Sequence, residues 1–365
     1  MATLADAWVQ RGDCVTLITL GSTEIDFFPL DARVSRIGLN LMKNTRGVID
    51  QLQAGCRRVF ALRQAVVKTN PDVVISFINR TNLLTLLATW GLPFPVIVSE
   101  RVDPRQVPTP WSVRLLRRVL YPRADAVVVQ THSVHAWARQ AMPNCRIVVI
   151  PNPVAPPKAV WLPGAQSKIV AVGRLNRQKG FDVLIEAFAR IAPLHPTWSL
   201  DIVGEGPERA SLELLIQDLR LTGRVTLRGV VSDVNAHLVD AGLFVMPSRF
   251  EGFPNSLLEA MACGCPVIST DCPSGPAEMI RADHDGLLVP AENVTALADS
   301  MNRLLSSEAD RSRLGANASA VLGRFGVDRI IELWDNLIHQ PGLEQHRDAA
   351  VSDGETKQTT SRRAA

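Results

Sequence analysis

A single tyrosine stands in 365 residues, and aromatic residues make up only 5% of the chain. A nucleic-acid reader that stacks bases on interleaved aromatics is therefore not indicated, and no nucleic-acid partner is expected. No uninterrupted apolar run reaches the ~18–20 residues that a membrane span needs. The six cysteines, Cys14, Cys56, Cys145, Cys263, Cys265 and Cys272, form no CxxC pair. Cys263 and Cys265 sit two apart, the wrong step for a zinc knuckle, and no metal site is expected. They read as small buried thiols in a reducing compartment. Met1 to Gly12 shows neither a basic n-region nor an apolar h-region, so the expected location is the cytoplasm.

What is present is an ordinary globular composition, 46% hydrophobic and 21% charged, long enough for two domains. The net charge of +3 hides an asymmetry. Residues 1–150 carry 18 Lys and Arg against 10 Asp and Glu, and the remainder carries 21 against 26. A basic first half suits an anionic partner such as a phosphorylated substrate or a phospholipid surface.

Short apolar strands alternate with helical stretches. Ala2 to Gln10 reads as a helix that feeds the strand Cys14–Leu20. Strands follow at Asp72–Phe77, Pro95–Ser99, Asp125–Gln130 and Ile147–Ile150, with helices between them. Five prolines in fourteen residues then mark 151–164 as a stiff linker. The alternation restarts at Lys168 and runs to a last helix at Gly326–Ile338. This order predicts an α/β protein of two doubly wound parallel sheets. The two lobes should span 1–150 and 165–340, the second including the C-terminal helix, and the polar segment 341–365 should be disordered.

Ligands of open parallel sheets bind at the carboxyl ends of the strands. The first such loop is Gly173-Arg174…Lys179-Gly180, where two cations stand near a helix start and suit a pyrophosphate; a solvated basic loop is the plain alternative. The second, Gly204-Glu205-Gly206-Pro207, reads as a permissive turn. The third runs from Pro247 through Glu251, Asn255, Ser256, Leu257 and Glu259 to Gly264. The amides of Ser256 and Leu257 open a helix and can hold a phosphate oxygen, and Glu259 is placed for vicinal hydroxyls. The competing possibility is that Asn255 is simply an N-cap beside ordinary acids.

Gly173-Arg174…Lys179-Gly180, then Glu251 and Glu259 eight apart, then Ala260-Met261-Ala262-Cys263-Gly264-Cys265-Pro266-Val267-Ile268, resembles the second lobe of a family 4 glycosyltransferase of the GT-B fold. The resemblance covers Ile169–Ile338 and continues weakly through Ser99-Glu100-Arg101 and Ile150-Pro-Asn-Pro153. It implies a retaining transferase that moves a hexose or N-acetylhexosamine from a nucleotide-sugar, with UDP favoured, to a glycan or a polyprenyl-diphosphate-linked acceptor. It implies that Arg174 and Lys179 neutralise the leaving diphosphate beside Gly173, and that Glu259 binds the ribose. Asn255, Ser256 and Leu257 would meet the distal phosphate, Glu251 would contact the donor sugar, and backbone near Val231 would meet the base. It implies no cofactor and no bound metal. No Asp-x-Asp pair stands beside a strand end; Asp283-His284-Asp285 reads as a turn before Gly286.

The first lobe is thinner in signal. Asn79-Arg80, Glu100-Arg101, His132 and His135 follow strands and are candidates for the acceptor or plain structural groups. Arg114, Arg117 and Arg118 are expected on one face of the helix Trp111–Tyr121, with Trp111, Leu115 and Val119 on another. Such a helix suits an anionic membrane surface, which would place the chain at the inner face of the plasma membrane, or is an ordinary half-exposed helix. Set against the family pattern, the first lobe should lack its N-terminal strand and Gly-rich loop. That departure keeps a second reading open, a catalytically impaired scaffold that binds nucleotide-sugars.

Overall fold

Val- and Ile-rich segments too short for helices bury both faces, so each needs helical cover on either side. A computed structural model describes residues 1–23, 29–42, 48–106, 109–164 and 166–340, with 48, 49 and 166 described by backbone alone. The segment 341–365, expected to be disordered, lies outside the described residues. The chain forms two compact units, Met1–Pro151 with Val327–Ala365, and Asn152–Gly326.

The first unit runs α1 (Ala2–Gln10), β1 (Thr16–Thr19), β2 (Ser35–Gly38), α2 (Val48–Thr69), β3 (Val74–Phe77), α3 (Asn79–Ala88), β4 (Val96–Ser99), α4 (Trp111–Leu120), β5 (Ala126–Val129), α5 (His132–Ala141) and β6 (Ile147–Val149). Strands β3, β4, β5 and β6 pair in that order, all parallel. Strands β1 and β2 form a separate parallel pair. Among the described residues β1 and β3 each have a strand neighbour on one side only. Strand β2 has no counterpart in the sequence reading: Ser35 and Arg36 interrupt its apolar pattern, and it lies at a sheet edge, half-exposed.

The second unit runs β7 (Gln166–Val172), α6 (Phe181–Ile191), β8 (Ser199–Val203), α7 (Arg209–Asp218), β9 (Val225–Gly229), α8 (Val234–Val239), β10 (Ala241–Met246), α9 (Asn255–Ala262), β11 (Val267–Thr270), α10 (Pro276–Met279), β12 (Leu287–Val289), α11 (Val294–Ser306), α12 (Glu308–Ala318) and α13 (Val321–Phe325). Its six strands lie in the order β12-β11-β10-β7-β8-β9, all parallel. The winding therefore reverses between β7 and β10, where a doubly wound sheet opens its ligand crevice.

Two boundaries differ from the sequence expectation. The last helix, α14 (Val327–Ile338), belongs to the first unit and not the second. Its Ile330, Ile331, Trp334 and Leu337 recur at helical spacing and are buried against Leu4, Ile97, Ala126, Val128 and Ile150. Trp8 of α1 meets the Trp334 ring edge-on at 6.1 Å and donates through Nε1 to Asp335 at 3.3 Å. Amphipathic periodicity shows that α14 has a buried face but not which sheet it covers. The Pro-rich stretch is not a free linker either. Val154 bridges Gly326, and Trp161 donates from its backbone N–H to Cys263 O at 2.8 Å and from Nε1 to Ala241 O at 2.6 Å. From Asn152 onward it is part of the second unit.

The cysteine expectation holds for half of them. Cys263, Cys265 and Cys272 are buried, while Cys14 and Cys56 are exposed and Cys145 is half-buried.

Candidate functional site

Strand β7 ends at Val172, and Gly173 turns the chain into the loop of Arg174 to Lys179. A short 3-10 turn at Arg177–Lys179 leads to Gly180 and then to α6. Gly180 has φ +64°, and a Cβ there would stand 2.2 Å from Pro247 O. Only a residue without a side chain allows that approach, which brings the loop after β7 against the loop after β10. Further bonds join the two loops: Arg249 N–H donates to Gln178 O at 2.8 Å, and Gln178 Nε2 donates to Phe250 O at 3.0 Å. Arg249 also holds Asp182 at 2.7 Å and Glu292 at 2.8 Å, and Asp182 in turn raises the affinity of that guanidinium for its proton.

This seam carries Lys179 to Glu251. Lys179 Nζ stands 2.6 Å from Glu251 Oε1, and Ser248 Oγ donates to the same oxygen at 2.6 Å. Thr270 Oγ1 at the end of β11 donates to Ser248 O at 2.5 Å and so braces the loop from behind. Glu251 is 6% exposed. A carboxylate at that depth needs a cationic partner and hydrogen bonds, and it has both.

Four residues on, at Asn255, α9 opens with Pro254 as its N-cap and no side-chain cap. Asn255 is therefore inside the first turn and not the cap; its Oδ1 accepts from Asn152 Nδ2 at 2.7 Å. The first helical bond runs from Leu258 N–H to Pro254 O, which leaves the amides of Asn255, Ser256 and Leu257 unused by the helix. Glu259, one turn in, is half-buried, and burial pushes its carboxyl above the ordinary value. Among the described residues it has no ion-pair partner, and neither does Arg174, which is exposed.

The loop Gly204–Pro207 packs closely on the loop after β7. Gly204 has φ +143°, and a Cβ there would lie 1.9 Å from Gly173 O. Its N–H donates to Gly229 O at 2.8 Å, so the ends of β7, β8 and β9 are drawn together two residues before Val231. Burial raises the Cys263 and Cys272 thiols to about 11 and about 12, with Glu259 and Glu251 respectively adding to the effect. Both thiols stay protonated near neutrality.

The structure thus joins Lys179 to Glu251 directly. Gly173, Arg174, Val231, Asn255, Ser256, Leu257 and Glu259 all stand at the same carboxyl edge of the second unit's sheet, or on the helix that starts there. Among the described residues no hydrogen bond or ion pair joins Arg174 to Glu259. Ser248, Thr270 and Arg249 were not singled out from sequence; a hydroxyl two residues past a strand carries no signal until its partner is known. Asp285, in the Asp-x-Asp turn, is buried and accepts from Arg281, as a structural turn requires.

In the first unit Glu100 departs from the acceptor role considered for it. It is 5% exposed, accepts from Tyr121 Oη at 2.5 Å and faces Arg117 at 4.0 Å, and burial pushes its carboxyl upward. Arg101 lies 4.5 Å over the Phe77 ring, and burial brings its guanidinium down to about 10. Asn79 and Arg80 open α3, and His132 and His135 open α5.

The family of "Glycosyl transferase 4-like domain" proteins matches residues 1–153, and that of "Glycosyl transferases group 1" matches residues 158–321. The chain belongs to the family 4 glycosyltransferases. The first match ends at 153 and the second starts at 158, just past the start of the second unit at Asn152. A Campylobacter jejuni transferase that adds α-1,4-linked N-acetylgalactosamine to an undecaprenol-diphosphate-linked glycan is 29% identical over 343 residues, 93% of each chain. A Streptomyces coelicolor exopolysaccharide phosphotransferase is 33% identical over 279 residues, 76% of this glycosyltransferase but 29% of that protein. Sucrose-phosphate synthase from Thermosynechococcus elongatus shares the fold, with a TM-score of 0.76 at 22% identity over 95% of this chain and 92% of its own. The fold is GT-B, as the sequence resemblance implied, and the chain is an enzyme that transfers sugars.

Proposed function

We propose that this glycosyltransferase moves a hexose or N-acetylhexosamine from a nucleotide-sugar, UDP-linked, to a polyprenyl-diphosphate-linked glycan, with retention at the anomeric carbon. The Campylobacter relative supports the acceptor class, because its name describes such an acceptor and it aligns over nearly its whole length. The observation that carries the donor site is the Lys179–Glu251 pair beside the uncapped start of α9, at the point where the sheet reverses.

In this reading Arg174, Lys179 and the amides of Ser256 and Leu257 meet the diphosphate. Glu259 takes the ribose hydroxyls, and backbone near Val231 takes the base. The bond from the anomeric carbon to the phosphate oxygen breaks as the acceptor hydroxyl bonds to that carbon, and the hydroxyl proton passes to the departing phosphate. Negative charge grows on the diphosphate through this step, so fixed cations and helix amides lower the barrier. They take the part a divalent ion plays in other transferases. Glu251, held rigid by Lys179 and Ser248, faces the donor sugar, where a carboxylate fixes hydroxyl orientation.

The test is a screen of nucleotide-sugars for thermal stabilisation, followed by transfer to a lipid-linked acceptor with Glu251→Gln as control. Stabilisation by a UDP-sugar, transfer with an α-linked product from an α-donor, and loss of transfer in the variant support the reading. Stabilisation without transfer would instead identify a binding protein, and no stabilisation by any nucleotide-sugar would sink the donor site.

A further inference from the structure

Helix α4 is built inside out. Its sequence, WSVRLLRRVL, contains five large apolar residues besides Val113, yet the residue that enters the protein most deeply beside Leu120 is Arg117. Trp111 is 76% exposed, Leu115 55% and Val119 57%, with Leu116 at 38%. Trp111, Leu115 and Val119 recur every four residues and form one ridge along the helix. The roll of the helix is set from within: the Arg117 guanidinium lies 5.4 Å over the Trp137 ring and 4.0 Å from Glu100, itself held by Tyr121. Anchoring Arg117 inward turns the apolar ridge to solvent. It also separates Arg117 from Arg114 and Arg118, which sequence spacing had placed with it on one face.

Arg114 and Arg118 are exposed beside that ridge, and among the described residues neither has an ion-pair partner. The helix contains no Asp or Glu. At its C-terminal end a cavity of about 210 Å³ is lined by Arg117, Arg118, Gln140 and Asn144, with no carboxylate among its lining residues. An apolar ridge with unpaired arginines beside it, on a helix that carries no acid of its own, matches a surface that is apolar at depth and anionic above. A ten-residue helix is about 15 Å long, enough to lie in a headgroup layer. Among the described residues no helix is long and apolar enough to cross a membrane, so this is a contact with one leaflet.

We propose that α4 seats the protein on an anionic lipid bilayer, with Trp111, Leu115 and Val119 among the acyl chains and Arg114 and Arg118 against lipid phosphates. The surface lies wholly in the first unit and is independent of the donor-site reading.

The experiment is flotation of the full chain with vesicles of phosphatidylcholine alone or with about 30% phosphatidylglycerol, at low salt and at 0.5 M salt, roughly the range over which surface charges become screened. The wild type should float with the anionic vesicles and not with the neutral ones. Trp111→Ser/Leu115→Ser/Val119→Ser should lower the bound fraction roughly tenfold, as loss of inserted apolar area requires. Arg114→Glu/Arg118→Glu should remove the preference for anionic lipid. Because all five side chains are exposed, the melting temperature should not fall, and each variant is checked for it. Wild-type protein that stays unbound at low salt overturns the proposal, as do variants that float like the wild type. If the serine variant instead turns a lipid-free dimer into a monomer without changing flotation, the ridge covers a second copy of the chain and the proposal fails.

Discussion

Lys179 and Glu251 are 72 residues apart in sequence and 2.6 Å apart in space, ammonium against carboxylate. Lys179 ends the short 3-10 turn that follows β7 and Glu251 stands in the loop that follows β10, so both lie at the carboxyl ends of adjacent strands. The pair is the nearest thing to a keystone in the second unit, because it ties the two loops of the switch point and is itself part of the proposed donor site.

The pair should behave as a unit. Lys179→Met leaves a carboxylate that is 6% exposed with Ser248 as its one hydrogen-bond partner among the described residues, and should destabilise the protein by about 3 kcal/mol. Adding Glu251→Gln to that variant should recover more than half of the loss. Urea denaturation of the two single variants and the double variant measures the coupling; strict additivity would show that the contact is incidental.

Arg174 is exposed and has no ion-pair partner among the described residues, so its removal should cost little stability. Arg174→Ala should instead lower the turnover rate by about 100- to 1000-fold, the scale of one lost pre-organised donor. A drop in melting temperature with an unchanged rate would assign Arg174 to structure.

Glu259 carries a stability cost that ligand binding would relieve. Burial raises its carboxyl above the ordinary 4.5, so the folded chain keeps that proton to a higher pH than the unfolded chain does. Stability falls as pH rises through the window between the ordinary and the raised value, and the whole cost is present above it. Glu259→Gln should therefore melt higher than the wild type at pH 7, and the two should converge below pH 4.5, while donor affinity falls roughly tenfold or more if the carboxylate holds two ribose hydroxyls. Calorimetry across pH, with and without nucleotide, checks both halves.

Gly204→Ala should disable the site by displacing Gly173. The added carbon would fall 1.9 Å from Gly173 O at a φ of +143°, which forces the loops after β7 and β8 apart. A loss of at least about 2 kcal/mol is expected, with weakened nucleotide binding in whatever fraction folds. Wild-type stability would mean that the two loops are not held at this separation in solution.

Activity should survive chelation. If arginine, lysine and helix amides meet the diphosphate, transfer in excess EDTA should stay within about twofold of that in magnesium. Loss of activity on chelation, restored by a divalent ion, would require a metal in the donor site.

Much of this was legible in one dimension. Runs such as Val96–Ser99, Ala126–Val129 and Ala241–Met246 are too short and too apolar for anything but doubly covered parallel strands, so fold class followed from pattern. The position of Glu251 and Glu259 after a strand placed both at a ligand edge. Less legible were β2, a half-exposed edge strand without alternation, and α4, where Arg117 turns inward and leaves the basic face that helical spacing assigns it with Arg114 and Arg118.

The chain's own order determines which residues end strands and open helices, because periodicity and glycine placement act over a few residues. Which loops then meet is a property of the assembled sheet. Lys179 reaches Glu251 because β10 inserts beside β7 rather than beside β9, and α14 covers the first unit because its apolar face fits that sheet. Local sequence encodes propensity and burial, but partners distant along the chain are chosen by packing, and only the folded structure carries that choice.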